Sequence, residues 1–280
     1  MKLPVLPDLP IHGVLDHLVE TSAERGTAVL VAPPGTGKTT LVPLALAQHA
    51  TGRVVVAEPR RLAARAAAGR MAALLGEQVG DTVGYSVRGD RRVGRRTRIE
   101  VVTSGLLVRR LQDDPELTGV EVIVLDECHE RHLDADLLLA LLLDARAGLR
   151  PDLRVLATSA TVAAERLSTL LGEQHAAPVV QVEGRTHPVE TTYLPSLPRE
   201  RFEAHVARAT RAALAATEGD VLVFLPGAAE IRRVTALLDD LSDIDIVPCT
   251  AGFRRRRRTR RYGPDPGGGW CRRRRWRSRA

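Results

Sequence analysis

The sequence predicts an α/β fold in which a parallel sheet is covered by helices on both faces. Apolar or β-branched runs alternate with Ala-, Leu- and Arg-rich stretches of helical length, and the runs lie at residues 29–31, 54–57, 99–102, 120–125 and 155–157. This alternation is typical of parallel strands that are joined by crossover helices. A glycine-rich loop follows the first run, and a second alternating series begins near Gly219.

The remaining elements follow in chain order. The helix expected after the glycine-rich loop contains Pro43, whose missing N–H should kink the helix or limit its first part. Residues 178–198 have a strand-like pattern that contains prolines, and residues 199–217 favour a helix. The second series consists of a strand at 221–225, a helix at 228–241 and a strand at 244–247.

This order predicts three segments. The first is an α/β domain at residues 10–184, the second is the beginning of another α/β domain at residues 185–250, and the third is a tail at residues 251–280. The net charge of +7 is concentrated in the tail, which contains 13 arginines and a single acidic residue, Asp265. Because the tail lacks Val, Leu and Ile, it has neither helical nor strand periodicity, and we expect it to be disordered in isolation.

Composition excludes several other classes of protein. A chain of 280 residues with 44% hydrophobic content can bury one large core or two moderate ones, which excludes a disordered polymer. The first 20 residues do not have the pattern of a signal peptide, and the Leu-rich run at 137–143 is too short to span a bilayer. The three cysteines have no zinc-binding spacing and are too few for a disulfide framework. We therefore expect a cytoplasmic protein with no membrane partner.

The glycine-rich loop, Ala-Pro-Pro-Gly-Thr-Gly-Lys-Thr-Thr at residues 32–40, lies between a strand and a helix, as a phosphate-binding P-loop does. Its glycines let backbone N–H groups approach phosphates, its lysine can reach the β and γ phosphates, and the following threonine is placed to bind Mg²⁺. A plain glycine-rich turn is the alternative, but Lys-Thr at this offset disfavours it. ATP and Mg²⁺ are the expected cofactors, and the expected nucleotide-binding residues are Pro34, Gly35, Thr36, Gly37, Lys38, Thr39 and Thr40.

A second group, Asp126-Glu-Cys-His129, directly follows the apolar run at 120–125. A carboxylate at the end of a parallel strand lies on the edge where ligands bind, so Asp126 is expected opposite Thr39 in the Mg²⁺ shell. Glu127 is a further expected metal ligand and can orient or deprotonate the attacking water. A solvated charged turn is the alternative for both acids, and a structural role is the alternative for His129. The P-loop upstream favours the functional interpretation.

The segment Ser159-Ala-Thr161 completes a recognisable order of motifs. A P-loop, Asp-Glu-x-His and Ser-Ala-Thr in this order resemble the first RecA-like domain of superfamily 2 helicases of the DEAH class. Similarity to the bacterial HrpB-type ATP-dependent helicases extends over residues 10–248 and is carried by Ala-Glu-Pro-Arg-Arg-Leu-Ala-Ala at 57–64 and by segments 97–107, 127–136 and 183–190. The resemblance implies an ATP-dependent RNA helicase, with single-stranded RNA as its expected partner.

The resemblance also implies roles for individual residues. Lys38, Asp126, Glu127 and His129 would be catalytic, whereas Ser159 and Thr161 would couple the nucleotide state to domain movement. Arg60, Arg61 and Thr103 would contact nucleic-acid phosphates, so binding would be independent of base sequence and would weaken with salt. A solvated helix face remains the alternative for the two arginines. Ser104 occupies a position where an acidic residue is expected from the family.

Two motifs that the resemblance implies for a second RecA-like domain have no counterpart in the sequence. Helicases of this class carry a Thr-containing motif and a Gln-x-x-Gly-Arg-x-Gly-Arg motif in their second RecA-like domain, and these 280 residues contain neither. Residues after 248 resemble a GC-rich coding region translated out of frame, which suggests a frameshifted or truncated helicase gene. A genuine arginine-rich arm that binds RNA is the alternative.

Three classes of function therefore remain open. The motifs name an ATP-dependent helicase, and the missing motifs suggest a fragment that binds ATP·Mg²⁺ and nucleic acid with little hydrolysis or unwinding. A different P-loop ATPase, such as a kinase or a transporter subunit, would leave Asp-Glu-Cys-His and Ser-Ala-Thr unexplained.

Overall fold

The computed structural model describes residues 9–160, 164–172, 175–183, 188–242, 244–248 and 268–273. The chain divides into two compact units, Met1–His187 and Pro188–Ala280. Gly184, where the sequence placed a domain boundary, lies outside the described residues. No helix within the described ranges is long and apolar enough to cross a membrane.

The first unit contains eight strands and six α-helices among its described residues. The strands are β1 (Thr27–Val31), β2 (Arg53–Glu58), β3 (Val83–Val87), β4 (Asp90–Arg92), β5 (Ile99–Thr103), β6 (Val120–Leu125), β7 (Arg154–Ser159) and β8 (Val179–Gln181). The helices are α1 (Leu15–Arg25), α2 (Lys38–His49), α3 (Arg61–Leu74), α4 (Ser104–Asp113), α5 (Leu133–Gly148) and α6 (Ala164–Leu171). Short 3₁₀ helices lie at Pro10–Val14 and Cys128–Glu130.

The eight strands form one sheet in the order β4-β3-β5-β2-β6-β7-β1-β8, and only β4 is antiparallel to its neighbour. The predicted α/β fold with a parallel sheet is thus confirmed. Alternate residues of β2 enter different cores: Val54 and Val56 pack with α1, α2 and α3, whereas Val55 and Ala57 pack with α4, α5 and α6. Helices therefore cover both faces of the sheet.

The sequence prediction missed two strands of the first unit, β3 and β4, whereas β8 lies in the segment expected to be strand-like. β3 and β4 are only five and three residues long, so they are stabilised by pairing with neighbours more than by local propensity. Helix α2 continues through Pro43, so the proline does not limit the helix, whereas the alternative expectation of a kink stays a prediction. Pro43 removes a single backbone hydrogen bond, and the apolar side chains around it are buried against the sheet.

The parallel topology places several polar segments at one edge of the sheet. The carboxyl ends of β1, β2, β5, β6 and β7 meet at this edge, because parallel strands all run in the same direction. The P-loop follows β1, the Arg-Arg pair follows β2, Asp126 follows β6 and Ser159 ends β7. The fold therefore brings motifs together that are far apart in the sequence.

The second unit contains α7 (Phe202–Ala216), β9 (Val221–Phe224), α8 (Ala228–Leu237), β10 (Ile244–Pro248) and β11 (Gly268–Arg273). The helices and the strands up to β10 match the predicted series closely. Their buried core is small, and it contains Ala207, Leu214, Val234 and Leu238.

Strand β11 departs from the expectation that the tail carries no strand. It lies between β9 and β10 and is antiparallel to both. The physical reason is that backbone N–H and C=O groups of β9 and β10 offer pairing positions that need no apolar sequence in the partner. The rest of the tail, 251–267 and 274–280, lies outside the described residues.

Candidate functional site

The loop between β1 and α2 has a backbone that requires glycine at two positions. Gly35 and Gly37 have φ angles of +81° and +99°, in the left-handed region. A Cβ at Gly37 would also lie 2.8 Å from Leu9 Cδ1, so the leucine side chain would have to move in addition to the backbone strain. Ala32 replaces the usual first glycine without strain, because positive φ angles outside glycine occur, among the described residues, only at Leu117, Glu127, Arg131 and Arg199.

Hydrogen bonds fix the shape of this loop. Ala32 N–H donates to the Ser159 carbonyl at 2.9 Å, and the Thr36 hydroxyl donates to the Pro33 carbonyl at 2.8 Å. The Thr40 hydroxyl donates to the Gly37 carbonyl at 3.3 Å. Thr36 and Thr40 therefore shape the loop through their side chains, whereas Pro34 and Gly35 are exposed on its outer side.

The N-terminus of α2 faces the acidic segment that follows β6. Thr39 Oγ1 donates to Asp126 Oδ2 at 2.6 Å, which places a hydroxyl and a carboxylate oxygen side by side. Oxygen ligands of this kind suit Mg²⁺, which proteins hold through one or two carboxylates together with substrate phosphates. The first N–H groups of α2 and the helix dipole favour an anion at the same place. The donor set therefore fits a nucleotide phosphate with its metal ion.

Lys38 and Glu127 form an ion pair across the same gap. Lys38 Nζ lies 3.0 Å from Glu127 Oε1, and only 5% of the lysine side chain is exposed. A lysine this buried needs a charged partner, and Glu127 supplies it in this structure. Glu127 has a φ of +56°, a left-handed conformation that turns the chain sharply after Asp126.

His129 connects this segment to the end of β7. Its Nδ1 accepts the Ala160 N–H at 3.3 Å and lies at the same distance, 3.3 Å, from Glu127 Oε2. Because Nδ1 accepts the Ala160 N–H, it does not also donate to Glu127. The imidazole thus touches both the acidic segment and the Ser-Ala-Thr segment.

The structure adds Glu58 and Thr158, which sequence reasoning missed. Thr158 Oγ1 donates to Asp126 Oδ1, and Asp126 is itself almost fully buried. Burial raises the pKa of Glu58 to about 9, and the charge of Asp126 and a hydrogen bond to it contribute further. At neutral pH the protonated Glu58 carboxyl therefore donates to the Asp126 carboxylate.

A signal for both residues exists in the sequence. Glu58 is an acid that ends an apolar strand directly before Pro-Arg-Arg, and Thr158 is a polar residue inside the run that precedes Ser-Ala-Thr. Each pattern indicates a polar side chain that is buried, which is unusual, but neither pattern predicts that the side chain contacts Asp126.

The residues expected to contact nucleic acid lie beside this site. Glu58 and Thr103 are register partners in β2 and β5, so Arg60, Arg61 and Thr103 share one edge of the sheet. Arg60 pairs with Glu130, whose second carboxylate oxygen lies 2.9 Å from His132 Nε2. Arg61 begins α3 and is exposed.

Ser159, Thr161 and Cys128 are the remaining residues of the motifs that the sequence singled out. Ser159 is buried at the end of β7, and Thr161 lies outside the described residues. Burial raises the pKa of the Cys128 thiol to about 12. The thiol of this half-buried residue therefore stays protonated at neutral pH and is a poor nucleophile.

Comparison with known proteins places this geometry in context. A family model described as DEAD/DEAH box helicase matches residues 16–170. The ATP-dependent RNA helicase HrpB of Escherichia coli (strain K12) is 48% identical to the chain over 246 residues, which are 87% of this chain and 30% of that protein. The chain thus spans about a third of the length of this curated relative.

Two crystal structures of the E. coli protein superpose well on the chain. One, described as the DEAH/RHA helicase HrpB, matches with a TM-score of 0.78 and 49% identity over 83% of this chain and 30% of the other. The second, described as the DExH-box NTPase HrpB, has a TM-score of 0.72 and 49% identity over 85% of this chain and 30% of the other.

Proposed function

The chain belongs to the DEAD/DEAH box helicase family, and on this basis we propose that its first unit is the ATP·Mg²⁺-binding unit of a nucleic-acid-dependent helicase. The observation that carries the proposal is the pairing of Thr39 with Asp126 at 2.6 Å, beside Lys38 and Glu127 at 3.0 Å. These four side chains converge at the N-terminus of α2, where backbone N–H groups favour phosphate.

Each residue of the loop has a distinct part in nucleotide binding. Lys38 would exchange Glu127 for the β and γ phosphates, and the loop from Pro34 to Thr36 with the N–H groups of Gly37, Thr39 and Thr40 would surround them. Thr39 and Asp126 would hold Mg²⁺, with Glu127 as a further ligand. The ion would neutralise the charge that develops on the phosphates during transfer.

Release of Glu127 from Lys38 would free a base for hydrolysis. The freed carboxylate would lie beside the γ-phosphate and would orient or deprotonate the attacking water. His129 touches both Glu127 and Ala160 at 3.3 Å, which supports a role in passing the nucleotide state to Ser159 and Thr161. Movement of that segment would then reach the nucleic-acid site.

Single-stranded RNA is the proposed nucleic acid; the name of the E. coli relative supports RNA as the class of nucleic acid. The cytoplasm is the proposed compartment. Arg60, Arg61 and Thr103 share the sheet edge beside the nucleotide site, so phosphate contacts there would be close enough to respond to the nucleotide. The contacts would position the strand without reading bases. We propose that the whole helicase hydrolyses ATP and separates nucleic-acid strands.

A second candidate is a polypeptide that binds ATP·Mg²⁺ and nucleic acid but hydrolyses ATP slowly. The observation that favours it is the lack of a Gln-x-x-Gly-Arg-x-Gly-Arg motif in these 280 residues. An arginine that reaches the γ-phosphate contributes about 10³ to 10⁵ in rate in related systems.

Steady-state ATP hydrolysis by the 280-residue polypeptide, with and without single-stranded RNA, distinguishes the two candidates. Binding of a fluorescent ATP analogue is measured in parallel, and Lys38→Ala is the control that removes the phosphate contact. RNA-stimulated turnover that Lys38→Ala abolishes would support the active enzyme. Binding with negligible turnover would support the second candidate, and binding that Lys38→Ala leaves intact would contradict both.

A further inference from the structure

The Thr158 hydroxyl is a buried polar group to which the proposed function assigns no part. It lies near the end of β7, and the residue is 0% exposed. Oγ1 donates to Asp126 Oδ1 and accepts the Glu127 N–H at 3.4 Å. The hydroxyl therefore contacts both residues of the acidic segment at the end of β6.

These contacts make the two oxygens of Asp126 different from each other. Oδ1 accepts from the Thr158 hydroxyl and from the Glu127 N–H, the latter at 3.0 Å, whereas Oδ2 accepts from Thr39 at 2.6 Å. A carboxylate with free oxygens could rotate and present either one. The bonds to Oδ1 restrict this rotation and leave Oδ2 directed towards the P-loop.

The sheet fixes the position of the Thr158 hydroxyl. Leu125 and Ala157 are register partners in β6 and β7, so Asp126 and Thr158 are the next pair along the two strands. On its other side, Asp126 N–H donates to the Ala57 carbonyl of β2 at 3.0 Å. Because neighbouring strands hold both backbones, the hydroxyl is a rigid partner for the carboxylate.

We propose that Thr158 is a positioning residue for Mg²⁺, which it serves by holding Asp126 with Oδ2 towards Thr39. This inference rests on the proposed function of the site as a nucleotide and metal site. Thr158 acts through Asp126 and touches neither metal nor nucleotide. Loss of a group that orients a metal ligand in this way typically lowers metal affinity by about tenfold to hundredfold.

Three variants isolate the hydroxyl. Thr158→Val keeps the shape of the side chain but removes the hydroxyl and its hydrogen bonds. Thr158→Ser keeps the hydroxyl and removes the methyl group. Thr27→Val is the matched control, because Thr27 is also buried and begins β1 at the opposite end of the same sheet. Thermal unfolding of each variant reports whether the fold is retained.

The measurement is binding of a fluorescent ADP analogue during a titration with Mg²⁺, and separately in EDTA. We expect Thr158→Val to raise the half-saturating Mg²⁺ concentration about tenfold to hundredfold. Thr158→Ser and Thr27→Val should stay close to the wild type, and binding of the analogue in EDTA should be the same in all four proteins. A loss of packing alone would not produce this selective effect on Mg²⁺.

The outcomes separate the inference from the function on which it rests. A wild type whose ADP binding shows no dependence on Mg²⁺ overturns the proposed metal site itself. A wild type that responds to Mg²⁺ and a Thr158→Val variant with the same response overturn the inference alone. If Thr158→Val does not fold, Thr158→Ala carries the same expectation and is judged by the same titration.

Discussion

The ion pair between Lys38 and Glu127 predicts that replacing Glu127 strengthens the binding of ADP. In this structure, Lys38 Nζ is engaged by Glu127 at 3.0 Å, and both oxygens of the carboxylate are within reach, the second at 3.2 Å. A nucleotide phosphate must compete with this carboxylate for the same ammonium group. Glu127→Gln removes the competing charge and leaves the P-loop intact.

The size of the effect follows from the geometry of the pair. Coulomb attraction between unit charges 3.0 Å apart is on the order of 5 kcal/mol at an effective dielectric constant of about 20. Desolvation and side-chain ordering offset most of this, and measured exposed pairs contribute about 0.2–1 kcal/mol. Since Glu127 is 26% exposed, a net value near the top of that range, about 1 kcal/mol, corresponds to roughly a fivefold gain in ADP affinity.

Isothermal titration with ADP in EDTA provides the assay, because ADP lacks the γ-phosphate and EDTA removes the metal from the comparison. Glu130→Gln is the matched control, since Glu130 lies in the same segment but pairs with Arg60 and His132. The gain in Glu127→Gln should shrink as salt screens the pair. An ADP affinity in Glu127→Gln equal to or weaker than that of the wild type and the control would refute the reasoning.

Three further predictions concern the glutamate at the end of β2, the P-loop and the nucleic-acid edge. Because the pKa of Glu58 is about 9 in the fold against an ordinary value of 4.5 for a glutamate, its contribution to stability is full below the unfolded pKa and falls as pH rises towards 9. Urea unfolding of Glu58→Gln should therefore show a flatter dependence on pH between about 5 and 8.5 than the wild type, and parallel curves would contradict the assignment. Gly37 has a φ of +99°, and a Cβ there would lie 2.8 Å from Leu9, so Gly37→Ala should lower the free energy of unfolding by about 1–3 kcal/mol and abolish ADP binding. Gly76 has a φ of +70° and open space around it, so Gly76→Ala should lower the free energy of unfolding through backbone strain alone and leave ADP binding unchanged. The slope of log binding constant against log salt concentration for single-stranded RNA should become about 0.7 shallower in Arg61→Gln. Arg70→Gln, near the other end of α3, should leave this slope unchanged. Equal slopes for the two variants would show that Arg61 lies on a solvated helix face and does not contact phosphate.

Much of the fold follows from local sequence. The strands β1, β2, β6 and β7 each contain a continuous buried apolar run, and β5 contains three buried apolar residues interrupted by Glu100. Such runs indicate central parallel strands because both faces of these strands are covered. The P-loop, Asp126 and Glu127 were located for the same reason, since each follows a strand that the sequence marks clearly. The resemblance to DEAH-class helicases, which these motifs carried, is confirmed by the comparisons.

Other strands form only because they pair with a neighbouring strand, which the local sequence does not predict. β4 has three residues, two of them arginines, and β11 begins with two glycines. Both exist as strands through backbone pairing with an adjacent strand. Local propensity carries no information about such a partner, which explains why the sequence did not predict them.

The sequence alone determined that Lys38, Thr39, Asp126 and Glu127 belong to one site, because their motifs follow strands of a parallel sheet. Only the tertiary structure decided how Asp126 is held. Glu58 and Thr158 flank it from the adjacent strands β2 and β7, and these three side chains come from distant parts of the chain. The order β2-β6-β7 makes them neighbours. Because they are buried together, Glu58 stays protonated and donates a hydrogen bond to Asp126, and Thr158 donates a second one from a fixed position. Desolvation and hydrogen bonding of this kind arise only when the strands are packed side by side.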